Sequence, residues 1–314
     1  MRDLPAETER QSSAASVGVA GVARRRAYLR SAAAVGLLLL LIGVLWEVAK
    51  AIGGDPWRYD SFLGLGFPLH HNPPLRIAQL SDIQLPHLWD IIGALFQPVQ
   101  RGQSQSLGQF LVGAALYTWR EAAIGFALGT LIGIGLASAF VHSRLAERAF
   151  VPYVIASQAI PIVALAPIIV VGFGRGVVAV VIIATYLTFF PVTIAAMRGL
   201  RSPDPRALEL MRSYAASRRE IFWKVRLPAS VPYLFTALKI AATASIVGAI
   251  IGEGPGGVPE GLGRAIINFN QQYITGPEKL WATILIASLL GIGFFALVRL
   301  AEGWVLRGRQ RIEA

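Results

Sequence analysis

With 314 residues, only 15% of them charged and 54% hydrophobic, this chain carries more apolar sequence than a soluble domain of its size would hold. It has no cysteine, which excludes disulfides and thiolate chemistry. The net charge of +11 would suit a nucleic-acid partner, but the arginines cluster at the ends of apolar runs, as the positive-inside rule expects, so no nucleic acid is expected.

Residues 1–30 have no clear periodicity and read as a disordered cytoplasmic tail ending in Arg24-Arg25-Arg26 and Arg30. The apolar run Ala32 to Val48 follows. A signal peptide shares the basic-then-apolar order, but Glu47 and Lys50 stand where a small-residue cleavage site would be, so residues 31–50 read as an uncleaved first span. Residues 51–110 are mixed and form a long external segment, with Leu85 to Phe96 a candidate surface helix. His70, His71 and His87 lack the Cys or carboxylate company of a metal site and read as loop histidines.

Residues 111–307 read as a core of five further spans. In the second, Ala122 to Val141, Gly125, Gly129, Gly133 and Gly135 let helix backbones approach closely in lipid. The third, Ala149 to Gly172, holds Pro152, Pro161 and Pro167 around Gln158. Prolines break the helix ladder, so this span lines either a pathway or a helix–helix contact. Val177 to Met197 is the fourth span, Ala229 to Ile251 the fifth and Glu278 to Val298 the sixth. Lys239, deep in the fifth, is either functional or structural. Glu253 to Pro277 reads as a second external segment with a short amphipathic helix, Arg264 to Tyr273. Residues 308–314 are a cytoplasmic tail. On this topology 20 Lys/Arg lie inside and eight outside, which puts both termini in the cytoplasm.

Between the fourth and fifth spans lies a basic connector, residues 203–228. Asp204-Pro205 is a helix start. Ala207, Leu208, Met211, Tyr214 and Ala215 then make one apolar stripe at helical spacing. Ser217-Arg218-Arg219-Glu220 is a capping box that opens a second helix, and Leu227-Pro228 leads into the next span. The expectation is helix, sharp bend, helix, span.

This connector resembles the coupling loop of permease subunits of ATP-driven importers: Glu-Ala-Ala, three residues, Gly, nine residues, Ile, one residue, Leu-Pro. Glu209, Val225, Leu227 and Pro228 fall in register, while Leu210 and Met211 replace the alanines and Ala215 the glycine. That glycine would allow a left-handed residue at the bend, so either the bend is built differently here or Ala215 carries the strain. The similarity runs from about Ala115 to Arg307 and includes Pro161 to Pro167, Phe173-Gly174, Phe190-Pro191, Gly199 to Pro205 and Leu227 to Tyr233. These match the nitrate/sulfonate/taurine branch. The external segments look more like relatives that handle flat heteroaromatic vitamins or precursors, such as riboflavin or the thiamine pyrimidine.

The resemblance implies an all-α polytopic membrane protein of about six transmembrane helices, with a type I importer core and cytoplasmic coupling helices. It implies a permease homodimer in the lipid membrane, two cytoplasmic ATPase subunits that use ATP and Mg, and an external substrate-binding protein. Glu209, Arg212, Ala215, Ser217, Arg218, Arg219, Glu220, Leu227 and Pro228 become the coupling residues. Arg212, Arg218 and Arg219 serve either the ATPase or inner-leaflet headgroups. Gln158, Tyr186, Phe189, Thr243 and Lys239 are the pathway candidates. The chain itself has no phosphate loop, no His-Glu-x-x-His, no Gly-x-Ser-x-Gly and no visible pair of intramembrane carboxylates, so no cofactor and no enzyme activity are expected of it. A channel or carrier working without ATP, or a membrane scaffold, is the competing class.

Overall fold

The computed structural model describes residues 30, 33–59, 68–100, 102 and 104–310. The expected tail up to Leu29, with Arg24 to Arg26, and residues 311–314 of the expected C-terminal tail, with Arg311, lie outside the described residues. Among the described residues the fold is all-α apart from one two-stranded antiparallel sheet. Five of the helices in the described residues are long and apolar enough to cross a membrane, six when one bent pair counts as a span. The chain divides into two compact units at Asp90.

In the first unit α1, Ala33–Gly53, is a run of outward-facing Leu, Val and Ile. Its end is tied down by polar side chains. Lys50 is fully buried, and its Nζ donates to Asp82 Oδ1 at 2.7 Å and to the Leu85 carbonyl. Glu47 meets His87 Nδ1 at 2.7 Å and accepts from the Leu88 N–H at 2.8 Å. Strands β1, Trp57–Tyr59, and β2, Leu69–His71, pair antiparallel. His87 is buried and stacks on Trp89 with centroids 4.4 Å apart, while Trp57 packs edge-on against His71, His87 and Trp89. Lys50 and His87 are thus structural members of a small aromatic core. A short helix, α2 (Leu88–Ala94), replaces the expected Leu85 to Phe96 helix.

The second unit is a helical bundle. Helix α3, Leu107–His142, starts at a capping box in which Ser106 and Gln109 satisfy each other's backbone N–H groups. Helix α6 is Val177–Leu200, and its Val180, Ile183, Ala184 and Val192 are fully buried. It lies between α3 and α9, Leu227–Gly256, along two seams of small residues. A Cβ on Gly125 would stand 2.4 Å from Ala184 Cβ, and one on Gly129 would stand 2.5 Å from Thr188 Cβ. From the other side, a Cβ on Gly248 would stand 2.8 Å from Ala184 Cα. Such approach maximises dispersion contact, the main force between helices in lipid. Gly135 is outside the seam and faces open space. Helix α11, Pro277–Gln310, closes the bundle with Phe294 and Val298 against Ala122, Val180 and Ala242.

The expected third span is not one helix. It is α4, Arg144–Ser157, and α5, Ile162–Phe173, bent by 104°. Pro152 and Pro167 stay inside their helices. The break falls at Pro161, which has no N–H to donate and restricts the backbone of Ile160 before it. Another boundary moved: Glu253 and Gly256, expected in an external segment, are buried in the last turn of α9. Helix α10, Leu262–Gln271, replaces the expected Arg264 to Tyr273 helix.

Candidate functional site

The connector forms two short helices. Asp204 accepts from the Arg206 N–H at 2.8 Å and caps α7, Pro205–Ser213, with Pro205 in its first turn. At the other end the Ala215 N–H bonds the Arg212 carbonyl at 2.9 Å and the Ala216 N–H bonds the Met211 carbonyl at 3.0 Å. That double bond pattern is a Schellman cap, which requires a left-handed residue at its turn. Ala215 supplies it with φ +53°. The bend is therefore built as a glycine would build it, and an alanine bears a strain of roughly 1 kcal/mol.

Ser217 and Glu220 form the expected capping box: the Ser217 N–H donates to Glu220 Oε2 at 2.9 Å and the Glu220 N–H to Ser217 Oγ at 3.2 Å. Helix α8, Arg218–Ile221, then runs without a break through one π turn, Phe222–Arg226, into α9. Pro228 cannot donate to the ladder, and the Leu227 N–H reaches back to the Phe222 carbonyl instead. Leu227-Pro228 is a register shift in one long helix.

No residue of α7 is buried. Glu209, Arg212, Arg218 and Arg219 are exposed, Leu210 is 57% and Tyr214 76% exposed. Much of this amphipathic surface has no cover among the described residues. Beneath it, Arg201 forks onto Glu147 with N–O distances of 2.8 and 2.6 Å, which ties the end of α6 to the start of α4. Hydrogen bonding to Glu147 raises the Arg201 pKa further above its ordinary value.

The pathway candidates separate. Gln158 caps α4 at the break and is exposed. Tyr186 donates its hydroxyl to the Ser157 carbonyl beside it, and Phe189 lies 5.8 Å from the Tyr186 ring. These three mark one polar and aromatic patch at the proline break. The Thr243 hydroxyl donates to the Ile240 carbonyl of its own helix at 2.8 Å. Lys239 is paired with Glu302 of α11 at 2.8 and 3.0 Å, which makes its charge a strut between two helices.

Sequence reasoning missed a polar seat at the opposite end of the bundle. Thr118 donates to Glu253 Oε1 at 2.6 Å and accepts from the Leu262 N–H at 2.8 Å. Glu253 Oε2 accepts from the Gly263 N–H. Together they hold the first turn of α10. Gly261, at φ +108°, has no room for a Cβ, which would stand 2.4 Å from the Glu253 carboxyl carbon. Glu121 faces Glu253 and is buried, and neither of its oxygens has a hydrogen-bond donor among the described residues. The expected absence of paired carboxylates is thus corrected: residues far apart in sequence meet because α3 and α9 flank α6. The signal available was two lone glutamates at the edges of apolar runs.

The family described as binding-protein-dependent transport system inner membrane component matches residues 129–307, more than half of the chain. The chain belongs to this family of ABC importer permeases. The permease is 37% identical over 279 residues to the formylaminopyrimidine transport permease protein ThiX of Halalkalibacterium halodurans, covering 88% of this chain and 95% of that one. It is 31% identical to the riboflavin transport system permease protein RibX of Chloroflexus aurantiacus over 53% of this chain and 61% of the relative. In fold it is similar to a chain of the crystal structure of an amino acid ABC transporter with histidines, with a TM-score of 0.52 and 18% identity, over 62% of this chain and 94% of that one. The permease has the type I importer permease fold and is an inner membrane component.

Proposed function

We propose that this permease imports a neutral, flat heteroaromatic solute of the formylaminopyrimidine class, works as a homodimer with two ATPase subunits, and receives its cargo from an external binding protein. The cargo class is supported by the long match to the ThiX relative, which includes the external segments. Both termini and the connector lie on the cytoplasmic side, as the excess of basic residues there favours.

The observation that carries the coupling role is α7 itself: an exposed amphipathic helix ending in a strained left-handed turn. A helix whose Leu210 and Arg212 face stays exposed among the described residues is suited to lie in a groove of a partner. ATP with Mg closes the partner ATPase dimer, and α7 moves with the groove that holds it. The Schellman turn at Ala215 and the capping box at Ser217 and Glu220 fix the angle between α7 and α8. Because α8 continues into α9 through the π turn, the push reaches a membrane helix through unbroken backbone. Glu209, Arg212, Arg218 and Arg219 make the polar contacts with the ATPase. Gln158, Tyr186 and Phe189 line the pathway where α4 and α5 break.

Replacing Ala215 by Val should test this. A β-branched residue resists φ +53° and changes the angle between the helices. ATP hydrolysis should persist while uptake falls. Wild-type uptake in that variant and in Glu209→Arg would refute the coupling role.

A further inference from the structure

A cavity of about 320 Å³ opens at the end of the bundle opposite the connector. Its walls come from α3, from α10 and from the loop before α3. Ala265, Asn268, Phe269 and Gln272 stand at helical spacing on one face of α10. Phe110 of α3 meets Phe269 edge to face, with centroids 6.2 Å apart, so two rings make one wall. Gln100 and Gln105 complete the rim from the loop.

The cavity is held open by the polar seat already described. Thr118 and Glu253 grip the first turn of α10 through the Leu262 and Gly263 N–H groups, which sets the rotation of the helix and the direction of its Asn268 face. The loop is anchored separately. Lys279 donates to the Val99 carbonyl at 2.9 Å, the Val99 N–H bonds the Gln105 carbonyl at 3.2 Å, and the Leu107 N–H bonds the Gln97 carbonyl at 2.8 Å.

The lining chemistry is selective. Gln100, Gln105, Asn268, Gln271 and Gln272 bring carboxamides, each a donor and an acceptor together. Among the described residues none of these side chains has a hydrogen-bond partner, and none of the lining side chains is charged. The Lys279 ammonium at the rim is engaged by a backbone carbonyl. The described lining offers a sulfonate or nitrate no cation in exchange for its water. A planar ring with an amino group beside a ring nitrogen offers the donor–acceptor pair that a carboxamide matches, and a face for the Phe110 and Phe269 wall.

We propose that this cavity is a cargo-transfer site in the permease itself, taking a neutral aminopyrimidine-type ring before it enters the membrane pathway. The inference rests on the cargo class given under Proposed function and adds the place and residues of recognition.

The test is direct binding of tritiated formylaminopyrimidine to the permease–ATPase complex in lipid nanodiscs, with the binding protein left out. Wild type should bind saturably, with no competition from taurine. Asn268→Leu with Gln272→Met should weaken binding about tenfold or more, the expected result of losing two hydrogen bonds at matched volume. Gln105→Met, on the separately anchored loop, repeats the test without touching α10. Uptake in cells is measured alongside. Should cells import the probe while the complex binds none, or binds it equally well in all variants, the transfer site is refuted and the cargo reading stands. Should cells carrying the wild-type importer take up no formylaminopyrimidine, the cargo reading fails and the site's ligand class with it. Variants that lose contact with the binding protein but keep probe binding would make this face a docking surface, which also refutes the proposal.

Discussion

Replacing Gly129 by Ala should separate α3 from α6, whereas the same change at Gly135, six residues along the same helix, should not. At Gly129 the new methyl would lie 2.5 Å from Thr188 Cβ and 2.8 Å from the Thr185 carbonyl oxygen, where ordinary contact begins at 3.4 Å. Thr188 cannot swing aside freely, because it is fully buried and its hydroxyl donates to the Ala184 carbonyl at 2.9 Å. The helices must part by about 1 Å, and overpacking of that kind costs about 1–3 kcal/mol. Alanine recovers up to about 1 kcal/mol of helix propensity, so a net loss of up to about 2 kcal/mol remains. At Gly135 nothing lies within 4 Å, so only the propensity gain remains. Unfolding of the purified permease by SDS titration in mild detergent measures both. Gly129→Ala should unfold earlier than wild type and Gly135→Ala no earlier. Equal shifts would show that the small-residue seam does not set the helix separation.

Lys239→Met alone should destabilise the bundle by about 3 kcal/mol, because it strands Glu302 between α9 and α11, and adding Glu302→Gln should restore much of it in the same titration. Glu121→Gln should be tolerated, since an amide facing Glu253 removes one of two buried carboxylates and can donate to the other, whereas Glu253→Gln should loosen α10 and raise hydrogen exchange at Leu262 and Gly263. In the first unit, burial raises the Asp90 pKa above its ordinary value, and the Tyr59 hydroxyl at 2.6 Å opposes that rise. The folded state then holds a proton the unfolded chain has released, so stability falls as pH climbs from the ordinary Asp range through the folded pKa. Tyr59→Phe should move that transition to higher pH, read from tryptophan fluorescence of Trp57 and Trp89.

How far the sequence could be read depends on the range of each interaction. Local signals were reliable: Asp204-Pro205 starts α7, and Ser217 with Glu220 caps α8, because each device is complete within four residues. The αL turn at Ala215 was left open, since only the summed contacts of a fold decide whether an alanine bears such strain. Three prolines in one run signalled a break but not its place. Pro152 and Pro167 sit in continuous helix, and Pro161 is where the chain turns. The polar partners were beyond reach: Glu302 for Lys239, Glu147 for Arg201 and Thr118 for Glu253 are brought together only by bundle packing. The cavity at α10 combines a helix face with a loop more than 150 residues earlier, so no local pattern could announce it.

The central claim is that α7 is seated against a nucleotide-driven partner. The natural absence of cysteine makes the test clean. Leu210→Cys, on the exposed face of α7, should crosslink to the ATPase subunit in native membranes, and the yield should change when ATP is added. A matching cysteine at Ile274, exposed near the opposite end, should not crosslink to that subunit. Crosslinking at Ile274, or none at Leu210 in a complex that still transports, would contradict the account.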